Sequence, residues 1–221
     1  MTLTVTIKDH VGILEVEEAD RKTLRSALTE LNHQGVHAVA IRIEEKSINN
    51  WMIADFHWLR KRYPLPIIAA LVGTIRGKDS LFSLSCDLRI GETNGTLSLP
   101  KTRSLTFGKS IKHLLGPHHP LPKEKKALEM ENALALGLIS RIASEKEGSW
   151  TLAQEVASTI ASRGRLAIRI AKEAVWQGLE MPLEQALRYE TDLTLLLQTT
   201  TDREEGVRAF IEKRDPKFTG N

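Results

Sequence analysis

Thiol chemistry is nearly missing from this chain: Cys86 is its one cysteine, so no internal disulfide can form, and a reducing compartment is expected. Set between Leu84 and Leu88, it reads as a small buried hydrophobe rather than a nucleophile. Long apolar runs are missing too. The longest, Ile67 to Val72, falls far short of the roughly 20 residues that cross a bilayer. The opening MTLTVTIKDH alternates too regularly for a signal peptide, so a cytoplasmic protein without a membrane partner is expected. Neither charge sign dominates. Thirty-one Lys and Arg face 28 Asp and Glu, interleaved rather than blocked, which argues against nucleic acid as a partner. The small basic bias still suits an anionic ligand. No metal is expected, because His118 and His119 lie between prolines with no third ligand spaced nearby.

What is present reads as alternating elements. Leu3, Val5 and Ile7 alternate with threonines, and Ile13, Leu14 and Val16 resume after a turn, which predicts a hairpin. Leu24, Leu28 and Leu31 repeat at helical spacing until Gly35. HAVAIRI (37–43) and PIIAALV (66–72) have the density of strands buried on both faces, and CDLRI and TLSLP predict shorter ones. Strands alternating with helices imply an α/β fold with parallel pairing. From Trp150 onward only amphipathic helices are predicted. Leu152, Val156 and Ile160 form one stripe, Leu166, Ile170 and Val175 a second, and Val207, Phe210 and Ile211 a third. Thr201 to Glu204 reads as a capping box for the last helix. Short helices with one apolar face each need a cover: the first domain, another subunit, or both. Phe210 is expected to dock the last helix.

The segment PLPIIAALVGTIRGKDSLFSLSCDLRI, followed by LSLPK, resembles the crotonase superfamily, the enoyl-CoA hydratase/isomerase group. The linker MENALALGLISRI and the tail EGVRAFIEKRDPKFTG resemble it as well. The resemblance implies an α/β, crotonase-like spiral of ββα units over residues 1–148. It implies a C-terminal helical trimerisation domain over residues 149–221, giving a homotrimer or hexamer. It also implies an acyl-CoA thioester as substrate, with no covalently bound cofactor. The shared chemistry of the group is stabilisation of an enolate-like thioester oxygen by two backbone N–H groups, donors preorganised in a dry site. Matched by register from Cys86-Asp87, one donor falls on the amide of Lys78, beside Gly77. The other falls on Ala54 in MIADF.

Four departures accompany the resemblance. The two glutamates that position water and shuttle protons in hydratases fall on Leu81 and Lys101, and leucine cannot transfer a proton. The stretch FHWLRKRYPLP, before the second long strand, is shortened. The early segment that helps hold the coenzyme nucleotide has no counterpart in GILEVEEADRKTLRSAL, and TRSLTFGKSIKH replaces a glycine-rich loop. Asp79 and Asp55 are the nearest substitute acids, though each also suits a helix start, where the dipole favours a carboxylate. Asp87 is expected to bond backbone, and Trp51 and Trp58, seven apart, to share a helix face in packing. Two functional readings stay open: an acyl-CoA enzyme with unusual residues, or a catalytically silent, oligomer-forming or partner-binding member.

Overall fold

Asp9 and His10 both adopt positive φ, 48° and 63°, in the two-residue turn that joins β1 (Thr2–Lys8) to β2 (Val11–Asp20). That turn matches the right-handed twist of an antiparallel pair, and the expected hairpin is present. The structure, a computed structural model, describes residues 2–100 and 127–220. After β2, Asp20 caps α1 (Arg21–His33) by accepting the Thr23 amide at 2.8 Å. Leu24, Leu28 and Leu31 of α1 are fully enclosed, each contributing roughly 1.5–3 kcal/mol by burial.

The chain then winds through β3 (Ala38–Ile43), β4 (Ile48–Asn49), α2 (Ile53–Lys61), β5 (Ile67–Leu71) and β6 (Thr74–Ile75). It continues through α3 (Gly77–Ser85), β7 (Leu88–Glu92) and β8 (Thr96–Leu97), and later β9 (Leu128–Glu129), α4 (Met130–Ala135) and β10 (Arg141–Ala143). The main sheet runs β1-β2-β3-β5-β7-β10, parallel from β2 onward, with β4 alongside the end of β2. A second sheet, β6-β8-β9, is fed by the same turns of chain. From β5 to β8 successive strands alternate between the two sheets, β5 and β7 in the first and β6 and β8 in the second.

Two-residue periodicity divides the core. Val39, Ile41 and Ile43 of β3, with Ile67, Ala69 and Leu71 of β5, face α1, α2 and α3. Ala38, Ala40, Ile68 and Ala70 face the opposite side, where α5 (Ser149–Ala161) lies across β3 and β5. Here one expectation is corrected. The buried stripe of α5 is Ala153, Ala157 and Ala161, while Leu152, Val156 and Ile160 are only half-buried beside it. Alanine meeting alanine lets the helix approach the sheet closely, and the larger side chains are turned to the flanks.

The remaining helices are α6 (Arg165–Gly178), α7 (Leu183–Gln198) and α8 (Thr201–Glu212). They bury little: no residue of α6, Leu193 of α7, and Asp202 and Ala209 of α8. Phe210 is 85% exposed, so the docking expected of it is not made within one chain. The cap of α8 is Thr200, whose hydroxyl accepts the Arg203 amide at 3.2 Å, one residue before the predicted Thr201. Asp202 is instead buried and accepts the amides of Thr219 and Gly220, fastening the tail. No helix among the described residues is long and apolar enough to cross a membrane.

Candidate active site

The two nominated donors occupy equivalent places. Ala54 is the second residue of α2 and Lys78 the second residue of α3, and both are exposed. At that position an amide points out of the helix start with no intrahelical acceptor. Neither N–H has a partner among the described residues. Each is followed by an aspartate, and each aspartate is buried.

At α2, Asp55 accepts the Met52 amide at 3.1 Å and ion-pairs with Arg21 at 2.9 Å and Arg25 at 3.0 Å, so α1 fixes the entry of α2. At α3, both Asp79 oxygens accept backbone amides from the segment leading to α2: Ile48 at 2.7 Å and Lys46 at 2.8 Å. Burial pushes the Asp79 carboxyl above its ordinary range, and these two amides oppose it. Asp79 therefore ties one helix start to the approach of the other. Trp51 completes the tie, its ring 4.9 Å from Phe82 in edge-to-face contact. It lies in the lead-in to α2 and not on the helix, so the expected face shared with Trp58 does not exist. Trp58 is half-buried on α2 under the Arg25 guanidinium, 4.2 Å away.

Gly77 is glycine for its backbone. Its φ is +61°, and an added Cβ would meet nothing within 4 Å, so conformation and not clearance excludes other residues. Arg76 before it ion-pairs with Glu45. Leu81, one turn on from Lys78, is 5% exposed and belongs to the main core. Apolar packing fills the place where the resemblance puts a proton-transferring glutamate. Lys101, the place of the second, lies outside the described residues, as do His118 and His119. Cys86 is buried, its thiol pushed up by desolvation. No group of three metal-ligating side chains occurs among the described residues.

Sequence reading missed a second cluster. Asp87 bonds the Ile67 amide at 2.8 Å, as expected, and also the Lys172 ammonium and the Trp176 indole, each at 2.8 Å. On the other face of Trp176, Arg60 lies 3.5 Å from the ring centroid and 4.9 Å from that of Phe56. Lys172 and Trp176 stand 85 and 89 positions from Asp87, too far apart to leave a local pattern.

A family model described as enoyl-CoA hydratase/isomerase matches residues 123–221. The chain is 36% identical over 162 residues to the (E)-benzylidenesuccinyl-CoA hydratase of Thauera aromatica, covering 70% of this chain and 63% of that protein. It is 30% identical over 176 residues to the 2,3-dehydroadipyl-CoA hydratase of Escherichia coli, covering 74% and 67%. Several curated relatives are thus matched over less than two thirds of their length. The fold matches the crystal structure of an enoyl-CoA hydratase from Bacillus anthracis with a TM-score of 0.83 at 23% identity, over the whole of both chains. The α/β spiral with its helical C-terminal region is the crotonase fold. The chain belongs to the enoyl-CoA hydratase/isomerase family, the crotonase superfamily.

Proposed function

We propose that this protein binds an acyl-CoA thioester with the carbonyl oxygen on the amides of Ala54 and Lys78, and that it is not a hydratase. Residues 1–148 carry the site and residues 149–221 the surface for assembly into a trimer or hexamer. The observation that supports binding is the pair of N–H groups at equivalent helix starts that have no partner among the described residues, braced by Asp55, Asp79 and the Trp51–Phe82 contact. Two such donors stabilise negative charge on a thioester oxygen, typically by about 3–4 kcal/mol each when it develops fully. The helix dipoles act in the same direction.

Hydration asks for more. Adding water across a conjugated double bond needs a base for the water and an acid for the carbon. Leu81 offers neither, and it is buried among apolar neighbours. Binding and polarisation of the thioester survive in this reading, while proton transfer from position 81 does not.

Lys78→Pro tests it, because proline removes the N–H yet is tolerated in the first turn of a helix. Calorimetric titration with crotonyl-CoA should show binding to the unaltered protein and to Lys78→Ala, and loss of it in Lys78→Pro with its melting temperature kept. Equal binding by all three, or rapid hydration of crotonyl-CoA, would refute the reading.

A further inference from the structure

A charged cleft opens where α2 meets α6, behind the helix starts described above. Its volume is about 260 Å³. Arg60, Lys61, Arg62, Arg169 and Lys172 line it against one carboxylate, Glu173, which accepts the Tyr189 hydroxyl. Lys61 is paired with Glu180 and Lys172 with Asp87, each at 2.8 Å. Arg62 and Arg169, both exposed, have no ion pair among the described residues.

Arg60 is the unusual member. It is only 6% exposed, and its Nε and Nη2 are enclosed with no hydrogen-bond partner. Both nearby acids, Asp87 and Glu180, are spoken for by other cations. The Trp176 and Phe56 rings stack on its planar faces, which favours a cation but leaves the N–H edge unsatisfied. Burial lowers its pKa to about 9 and Arg89 adds repulsion, with Asp87 and Glu180 partly opposing them, so it is still charged at neutral pH. A buried guanidinium whose nearby carboxylates already pair with other cations is costly, and an anion in the cleft would add counter-charge.

We propose that this cleft binds a small phosphate-bearing anion, with Arg60, Arg62 and Arg169 as its ligands. Guanidinium groups present paired N–H donors that match phosphate oxygens, and several together suit a dianion better than a single carboxylate. The site is a cleft and not a stripe, and the chain's net charge is only +3, so a small anion fits it better than a nucleic acid backbone.

Thermal melting in millimolar inorganic phosphate and in pyrophosphate, each against chloride at matched ionic strength, gives the test. The unaltered protein should melt higher in phosphate. A shift with pyrophosphate alone would assign the site to a diphosphate group, and a shift with inorganic phosphate to a single phosphoryl group. In the double variant Arg62→Gln, Arg169→Gln, phosphate affinity should fall by about tenfold or more and the shift should vanish. The control Lys22→Gln, Lys146→Gln, two exposed lysines elsewhere, should keep it, and so should Lys78→Pro. Arg60→Met separates structure from binding: it should melt at or above the parent in chloride, yet show no response to phosphate. No shift with either anion, or an equal shift in the Arg62/Arg169 double variant, would overturn the proposal. A lower melting point for Arg60→Met in chloride would do so as well, because it would make Arg60 a packing residue.

Discussion

The Nζ of Lys172 lies 2.8 Å from Oδ2 of Asp87, and both side chains are largely buried, at 8% and 15% exposure. Through this contact α6 is held to the sheet, since Asp87 stands at the entry to β7 and also bonds the Ile67 amide of β5. Removing one partner strands the other. Asp87→Ala is predicted to destabilise the protein by roughly 3–5 kcal/mol, the range for breaking a buried pair. Denaturant unfolding followed by far-UV circular dichroism would read it. A loss near zero would mean the helices are held by other contacts.

Restoring a carboxyl at the lost position should not restore hydration. Leu81→Glu places an ionisable group among core residues and removes a packed leucine, a cost on the order of 2–5 kcal/mol. One carboxyl supplies an acid or a base, not both. The expected result is a lower melting temperature and no hydration of crotonyl-CoA. Substantial turnover by this single variant would show that position 81 alone separates the protein from its hydratase relatives.

Stability should decline on the acid side of neutrality. Burial, the largest cause, holds the His37 imidazole below its ordinary value of 6.5, and the nearby His10 and Arg165 add to it, while its bond to the Ala161 carbonyl opposes them. The folded state therefore takes up this proton less readily than the unfolded chain. The stabilisation is complete above about 6.5 and is lost as pH falls below it toward the folded value. Denaturation midpoints across that interval should drop with pH, and His37→Asn should flatten the dependence. An unchanged slope in that variant would assign the effect elsewhere, His57 being the first alternative.

Oligomeric state gives the last prediction. Leu183, Phe210 and Ile211 are 75%, 85% and 74% exposed, and apolar surface of that extent on α7 and α8 favours a cover from another subunit. Phe210→Asp should leave the melting of the isolated fold nearly unchanged, because the ring touches little of its own chain. It should shift the protein to smaller species in light scattering. A monomeric unaltered protein would refute the assembly reading.

Much of the fold was legible from local pattern. Alternation marked β1 and β2, the spacing of Leu24, Leu28 and Leu31 marked α1, and the doubly apolar runs marked β3 and β5 as interior strands. These signals survive in sequence because a helix or strand repeats the same environment every few residues. Ala54, Lys78 and Leu81 were nominated for another reason, through resemblance over a run of matching residues. Wrong or unseen features were those set by a neighbour. The alanine face of α5 beat its larger stripe because β3 and β5 also present alanine, which α5 cannot know about.

Sequence by itself thus determined the hairpin, the first helix, the interior strands and the helical character of the tail. Each depends on a residue's own chemistry or its near neighbours. Tertiary structure alone decided that Asp79 is consumed by the amides of Lys46 and Ile48, and that Phe210 is left bare. It alone decided that Arg60 is enclosed between Phe56 and Trp176 with no acid of its own. Charge and burial at a point are sums over everything packed around it, and folding brings those contributors from across the chain.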